Sequence, residues 1–515
     1  MTAVLARPSA SAASRPTRAV GRALLAPGIG LAAALVSVIG AGTPSYWGDE
    51  AASVMSAQRP LPSLLRELAN IDAVHGFYYA LLHLWIDVAG ATEFATRLPS
   101  VVAAGAAAAG LVVLGRRLFG LRVGVIAGLA LTVIPQFLRM AIETRSYAIG
   151  IAAAVWLTVL LVRMLTSIPR SPALQRIGWA GYALGLAASV WMFEFLAFMV
   201  VVHLALVWAL RVDRTTARCW LLASAAGALL ASPLVVVAFF QRGQIAFLAE
   251  RGYDTAFNVL VTQWFGTPPF AVAAWAAILV GAITALRAAG RRRATVAVIL
   301  WVALPTAALL VVDVAAMPVY NLRYPAFSLG GVALAMALGI DAAAQALVAR
   351  LPRALAPRLP RFAAIVAALA ILATAAWPSY LAQRGPYAKG GGSDIRQSSA
   401  LLASLAAPDD AVVFDREVRS SQRPAMAYRL YPTDFALLDN VALTTPYYRH
   451  DGIWDQYLPA TELGARLSGH PVVWAWEIRG SAGADVAALR SLGYRTTRTY
   501  SVHRTVLYRM ERTRP

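Results

Sequence analysis

The chain has 515 residues, of which 59% are hydrophobic and only 14% charged, whereas a soluble domain is nearer a quarter charged. Several apolar runs reach the length of about 18–20 residues that crosses a bilayer, which excludes a soluble globular protein and points to a mainly α, polytopic membrane helical bundle. The formal charge of +20 lies in short arginine clusters between those runs. That is the distribution of the positive-inside rule, so it reads as topology and not as nucleic-acid binding. Lys389 is the only lysine, and with the abundant Ala this composition fits a GC-rich genome. The single Cys219 excludes an intrachain disulfide and any Cys-rich metal site.

In chain order, residues 1–20 read as a disordered cytoplasmic N-terminus. Arg15, Arg18 and Arg22 precede the apolar run 23–41, which reads as a signal anchor with its C-terminal end outside. The first outer loop, 43–97, opens on Ser45-Tyr46-Trp47-Gly48-Asp49-Glu50. Short amphipathic helices follow over 49–72, broken at Pro60 and Pro62, with Ser63 a cap. Residues 74–90 are apolar, yet they carry His75, His83, Asp87 and several aromatics. If they crossed the membrane, Arg116, Arg117 and Arg122 would face outside, so the segment is placed in the outer interface.

Spans are then expected near 98–115, 123–140, 145–165, 177–192, 194–211, 218–240, 270–288, 294–316, 324–346 and 362–380. With the first run this makes about eleven helices in a transmembrane domain over 21–380. Every arginine cluster lands inside, and the chain leaves the membrane on the outer face. Hydrophobicity drops after Tyr380. A linker over 381–393, glycine-rich from 385, leads to a small extracytoplasmic α/β domain over 394–515. Strands are expected at 411–414, 436–438, 472–478 and 500–509, and helices at 398–405 and 486–492. The aromatic loop Pro446-Tyr447-Tyr448-Arg449-His450-Asp451 through Trp454 reads either as a contact for sugar or lipid or as an ordinary packed loop.

No Walker A, GxSxG, HExxH or CxxC pattern is present, which leaves phosphate-loop, hydrolase-elbow and zinc-protease chemistry without support. Three outer-face clusters remain. Asp49 and Glu50 offer a carboxylate at a membrane edge, suited to removing a proton from a hydroxyl, although Asp49 as a simple helix cap is an equal reading. Glu143-Thr144-Arg145-Ser146-Tyr147 offers a guanidinium for phosphate, or alternatively an Arg145–Glu143 pair. Arg323 and Tyr324 stand at a helix entrance, as phosphate contacts or interface anchors. His75 is a ligand or a structural histidine. No metal-ligand spacing appears, so no cofactor is assigned and a divalent cation is left open.

In their order and spacing these pieces resemble the GT-C superfamily of polyprenyl-phosphate-sugar-dependent glycosyltransferases, especially its protein O-mannosyltransferase and aminoarabinose-transferase branch. The resemblance rests on Asp49-Glu50, His75-Gly76-Phe77-Tyr78-Tyr79, Arg97-Leu98-Pro99-Ser100, Arg116-Arg117-Leu118-Phe119-Gly120, Arg145-Ser146-Tyr147 and Arg323-Tyr324, over roughly residues 20–380. The second stretch lacks the family's Pro-Pro. The resemblance implies transfer of a sugar, mannose or arabinose favoured, from a polyprenyl-phosphate donor to a glycan, lipid or protein acceptor at the outer face of the plasma membrane. The composition suits an actinobacterial cell-envelope enzyme, and the resemblance implies Asp49 as the base, ahead of Glu50 in the catalytic pair, with His75, Tyr79, Glu143, Arg145, Tyr147, Arg323 and Tyr324 toward the donor phosphate. A transporter or flippase, and a non-catalytic scaffold, are the alternatives.

Overall fold

The structure, a computed structural model, describes residues 15–166, 171–350 and 361–513, with side chains in the first helix from Ala23 onward. The expected disorder over 1–20 therefore lies mostly outside the described residues, and from Arg15 the chain is helical. The first half runs α1 (Arg15–Val38), α2 (Gly48–Ala57), α3 (Leu61–Asn70), α4 (Gly76–Ala89), α5 (Glu93–Leu118), α6 (Leu121–Leu131), α7 (Pro135–Ala141) and α8 (Tyr147–Thr166). It continues as α9 (Pro172–Met192), α10 (Met199–Ala209), α11 (Arg214–Phe240), α12 (Pro268–Arg287), α13 (Arg292–Ala315), α14 (Leu329–Arg350) and α15 (Arg361–Ala382).

Every expected span is helical, but the spans are not equal. Among the described residues seven helices are long and apolar enough to cross a membrane, and eight if the bent pair α6–α7 is one span. The span expected over 123–140 is in fact this pair, bent by 67°. The cause is Pro135, which has no N–H to continue the α6 ladder and starts α7 instead. The run 194–211 is a turn followed by the 11-residue α10. At 14 residues α4 spans about 21 Å, too short to cross.

Helices α5 and α14 form the centre of the bundle. Nearly all of α14 from Leu329 to Asp341 is buried, and it packs on α12 and α6, while α5 packs on α1, α6 and α8. Association inside a membrane depends on close backbone approach rather than on the hydrophobic effect. The α12–α14 crossing shows this: a Cβ at Gly339 would stand 1.7 Å from the Ala277 carbonyl oxygen.

Beyond α15 the chain builds α16 (Ile395–Leu405) and a five-stranded sheet from β1 (Asp410–Phe414), β2 (Leu438–Asp439), β5 (Val472–Ile478), β6 (Tyr494–Ser501) and β7 (Thr505–Arg512), in the order β2-β1-β5-β7-β6. A separate pair, β3 (Leu443–Thr445) and β4 (Gln456–Tyr457), carries the long connection between β2 and β5. Strand β1 is parallel to β2 and β5, whereas β7 is antiparallel to β5 and β6. The expected strands at 411–414 and 472–478 and both expected helices are present. The strand expected over 500–509 is instead a hairpin, broken at Val502-His503-Arg504. Buried Asp394 accepts the His503 and Arg504 N–H groups at 3.0 and 2.6 Å and so holds that turn. The strand expected over 436–438 shrinks to the two residues of β2.

The glycine-rich linker is packed rather than free. Ser393 Oγ donates to the Tyr46 carbonyl at 2.6 Å, and Arg396 reaches back to the Gly42 carbonyl at 2.8 Å. The aromatic loop is likewise docked, because Arg59 donates to the carbonyls of His450 and Gly452 and Ser63 donates to that of Tyr448. Its packed-loop reading therefore accounts for most of it, although Ile453 and Trp454 reach the large cavity at the meeting of the two domains.

Candidate active site

A cavity of about 1170 Å³ lies where the first loop, the α7–α8 and α13–α14 connections and the C-terminal domain meet. Helix α2 has no side-chain cap, and its N-cap position is Trp47. Asp49 is thus not engaged as a cap and points instead to the cavity, where its carboxylate meets Arg323 at 2.9 Å. Burial pushes the Asp49 carboxyl up, but Arg323 and Arg145 more than reverse this and hold it below the ordinary carboxylate range. It is therefore ionised at neutral pH.

Glu50, one residue on, is fully buried and turns the other way. Arg97 grips it with a bidentate pair of bonds at 2.6 and 2.9 Å, and the Thr144 N–H donates to it at 2.9 Å. Lys389, from the linker, lies 3.6 Å from Glu50 and 3.9 Å from Glu143. Burial pulls the Lys389 ammonium down to about 8, against the attraction of both carboxylates. Gly390 is what brings this lysine in: it has φ of +57°, and a Cβ there would stand 2.5 Å from that of Trp47.

Arg145 does not pair with Glu143. It donates to His75 Nε2 at 2.8 Å and to Ser53 Oγ at 3.2 Å, and it approaches Tyr79 Oη at 3.5 Å. A guanidinium can only donate, so His75 Nε2 is the acceptor and the ring proton sits on Nδ1. Burial, reinforced by Arg145, lowers the His75 imidazole to about 4. Tyr79 in turn donates to Asp72. Arg323 lies over the rings of Trp47 at 5.1 Å and Tyr147 at 5.4 Å, with Glu143 at 3.8 Å on its far side. Tyr324 stacks on Phe195 at 4.6 Å.

Of the expected site residues, Asp49, His75, Arg145, Tyr147, Arg323 and Tyr324 line the cavity, and Glu50, Tyr79 and Glu143 stand behind it. Residues not singled out from sequence also contribute. Arg139 and Arg242 come from the membrane side, and Arg419, Gln422 and Arg504 from the C-terminal domain. Lys389 carried one sequence signal, its uniqueness.

Residues 76–237 match the model of the family described as dolichyl-phosphate-mannose-protein mannosyltransferase. Among solved structures the chain is similar to ArnT from Cupriavidus metallidurans in the apo state, with a TM-score of 0.58 at 12% identity over 96% of this chain and 98% of that one. It is equally similar to the same protein bound to undecaprenyl phosphate, with a TM-score of 0.57 at 13% identity over 95% and 98%. A search of curated protein sequences gives no match. The likeness extends through the C-terminal domain, so the whole chain shares this fold.

Proposed function

We propose that this chain, a multi-pass membrane glycosyltransferase with the GT-C fold, moves a sugar from a polyprenyl-phosphate carrier to a hydroxyl of a cell-envelope glycan, lipid or protein on the outer face, with Asp49 as general base. One observation carries the reading: the ionised Asp49 carboxylate opens on the cavity beside the guanidinium groups of Arg323, 2.9 Å away, and Arg145. The family description favours mannose as the sugar, with arabinose second. The undecaprenyl phosphate held by ArnT is the chemical type of leaving group the two arginines suit.

In the proposed step the acceptor hydroxyl gives its proton to Asp49 as its oxygen bonds to the anomeric carbon. The bond from that carbon to the phosphate oxygen breaks, and its electron pair leaves with the polyprenyl phosphate. That phosphate needs fixed positive charge rather than a proton donor, which Arg145 and Arg323 supply. Arrival of the donor also draws Arg323 from Asp49. Its strongest opposing charge is then shared, which raises the basicity of Asp49 at the moment it is needed. His75 and Tyr79 hold Arg145 in place, and Glu50 with Arg97 fixes the helix that carries Asp49.

The test is lipid and glycan analysis of a deletion strain. The reading predicts accumulation of one polyprenyl-phosphate sugar and loss of that sugar from one envelope component. An unchanged donor pool and unchanged glycans would contradict it.

A further inference from the structure

A second group of acids lies outside the cavity, at the C-terminal ends of β1 and β5. Asp415 follows β1, Glu477 is the penultimate residue of β5, and Asp485 lies in the first turn of the Ala484–Ser491 helix. Parallel pairing sets Phe414 beside Trp476, so the next residues of both strands emerge together, and the helix after β5 returns Asp485 to them. All three are at least nine-tenths buried, and each offers a carboxylate oxygen within 4.8 Å of the others.

Hydrogen bonds satisfy only part of this group. Asp415 accepts the N–H groups of Glu417 at 2.8 Å and Ile478 at 3.0 Å, and Glu477 Oε2 accepts from Ser481 Oγ at 3.2 Å. Glu477 Oε1 and Asp485 Oδ2 are buried with no partner among the described residues. Unpartnered buried oxygens are uncommon in folded proteins, and three carboxylates this close in a low dielectric repel one another. A cation among them answers both problems. A donor set made only of carboxylates suits a hard ion such as Ca²⁺ and not a thiolate- or imidazole-seeking metal.

We propose that Asp415, Glu477 and Asp485 bind a hard divalent cation that fixes the loop running from β1 to the catalytic cavity. From Asp415 that loop leads within a few residues to Arg419, Ser421 and Gln422 on the cavity wall. The Ser421 carbonyl oxygen is seated so tightly on the start of α2 that a Cβ at Gly48 would lie 2.0 Å from it. The cation site is therefore one short loop from the residue that precedes Asp49.

The experiment is a Ca²⁺ titration of the EDTA-stripped full chain in detergent, read by calorimetry and by Tm, beside Glu477→Gln and Asp485→Asn. The expected result for the natural chain is one bound ion and a rise in Tm of several degrees. Each amide variant removes a charge without changing shape, so it should match or exceed the natural chain's Tm in EDTA and bind Ca²⁺ about tenfold or more weakly. Absence of heat and of Tm change with Ca²⁺, Mg²⁺ and Mn²⁺ up to about 10 mM, well above the weakest extracellular calcium modules, would overturn the proposal. So would an undiminished Ca²⁺ response in Glu477→Gln. Where one variant fails to fold, the other, at a different acid of the same group, carries the test: a weakened Ca²⁺ response supports the site and an undiminished one overturns it.

Discussion

Asp49 and Glu50 are sequence neighbours, and a helix with 3.6 residues per turn sends their side chains about 100° apart. One faces the cavity and Arg323; the other enters a buried pair with Arg97. Glu50→Gln is expected to cost stability, on the order of 3–5 kcal/mol, because Arg97 is then left buried with too little opposing charge. A thermal melt with no loss of Tm would rule that role out. The pH profile of transfer separates two further groups. Asp49 lies below the ordinary carboxylate range and His75 near 4, so neither of these two groups should give an acid limb between about pH 5 and 8. Lys389 loses its proton near 8, which removes charge from beside Glu50 and Glu143 as pH rises. An alkaline limb near pH 8 should follow and should vanish in Lys389→Arg, whose guanidinium does not titrate there. A limb that persists in that variant belongs to another group. At this scale the sequence exposed the carboxylate and both arginines, because a charge beside an aromatic at a span's end is unusual. Only the family resemblance ranked Asp49 above Glu50; the residues by themselves did not separate the two, since their partners lie 47 residues away in Arg97 and far downstream in Arg323.

Among elements, the short α4 was legible because a crossing there would have turned the 116–122 arginines outward. The break between α6 and α7 was signalled only by Pro135, inside an otherwise continuous apolar run. The β6–β7 hairpin left no local trace. Both arms carry Thr, Tyr and Arg, and the turn lacks Gly, Asn or Pro and depends on Asp394, more than 100 residues earlier. Helix packing offers a direct test at Gly339. Placing a methyl group 1.7 Å from the Ala277 carbonyl must push α12 off α14. Gly339→Ala should therefore lose about 1–3 kcal/mol, seen as faster heat inactivation in detergent. Unchanged inactivation would mean the two helices are not so closely seated.

For the whole molecule, the cavity exists only because the C-terminal domain returns to the first loop. Lys389, Gly390 and Ser421 all contact the segment around Asp49, and Arg419 and Arg504 close the wall from that side. Sequence pattern separates the membrane domain from the C-terminal domain but says nothing of this docking, which is made by single polar contacts between distant segments. The proposed orientation predicts that a reporter fused within 116–122 reads as cytoplasmic; an external signal would reverse the layout. The most direct test of the central claim is Asp49→Asn, assayed for polyprenyl-phosphate binding and for transfer in the same preparation. The account predicts a fall in kcat of about 10²–10⁴-fold, with the lipid phosphate bound as tightly as before or more so, since Arg323 loses its competing carboxylate. Full transfer activity in Asp49→Asn would contradict it.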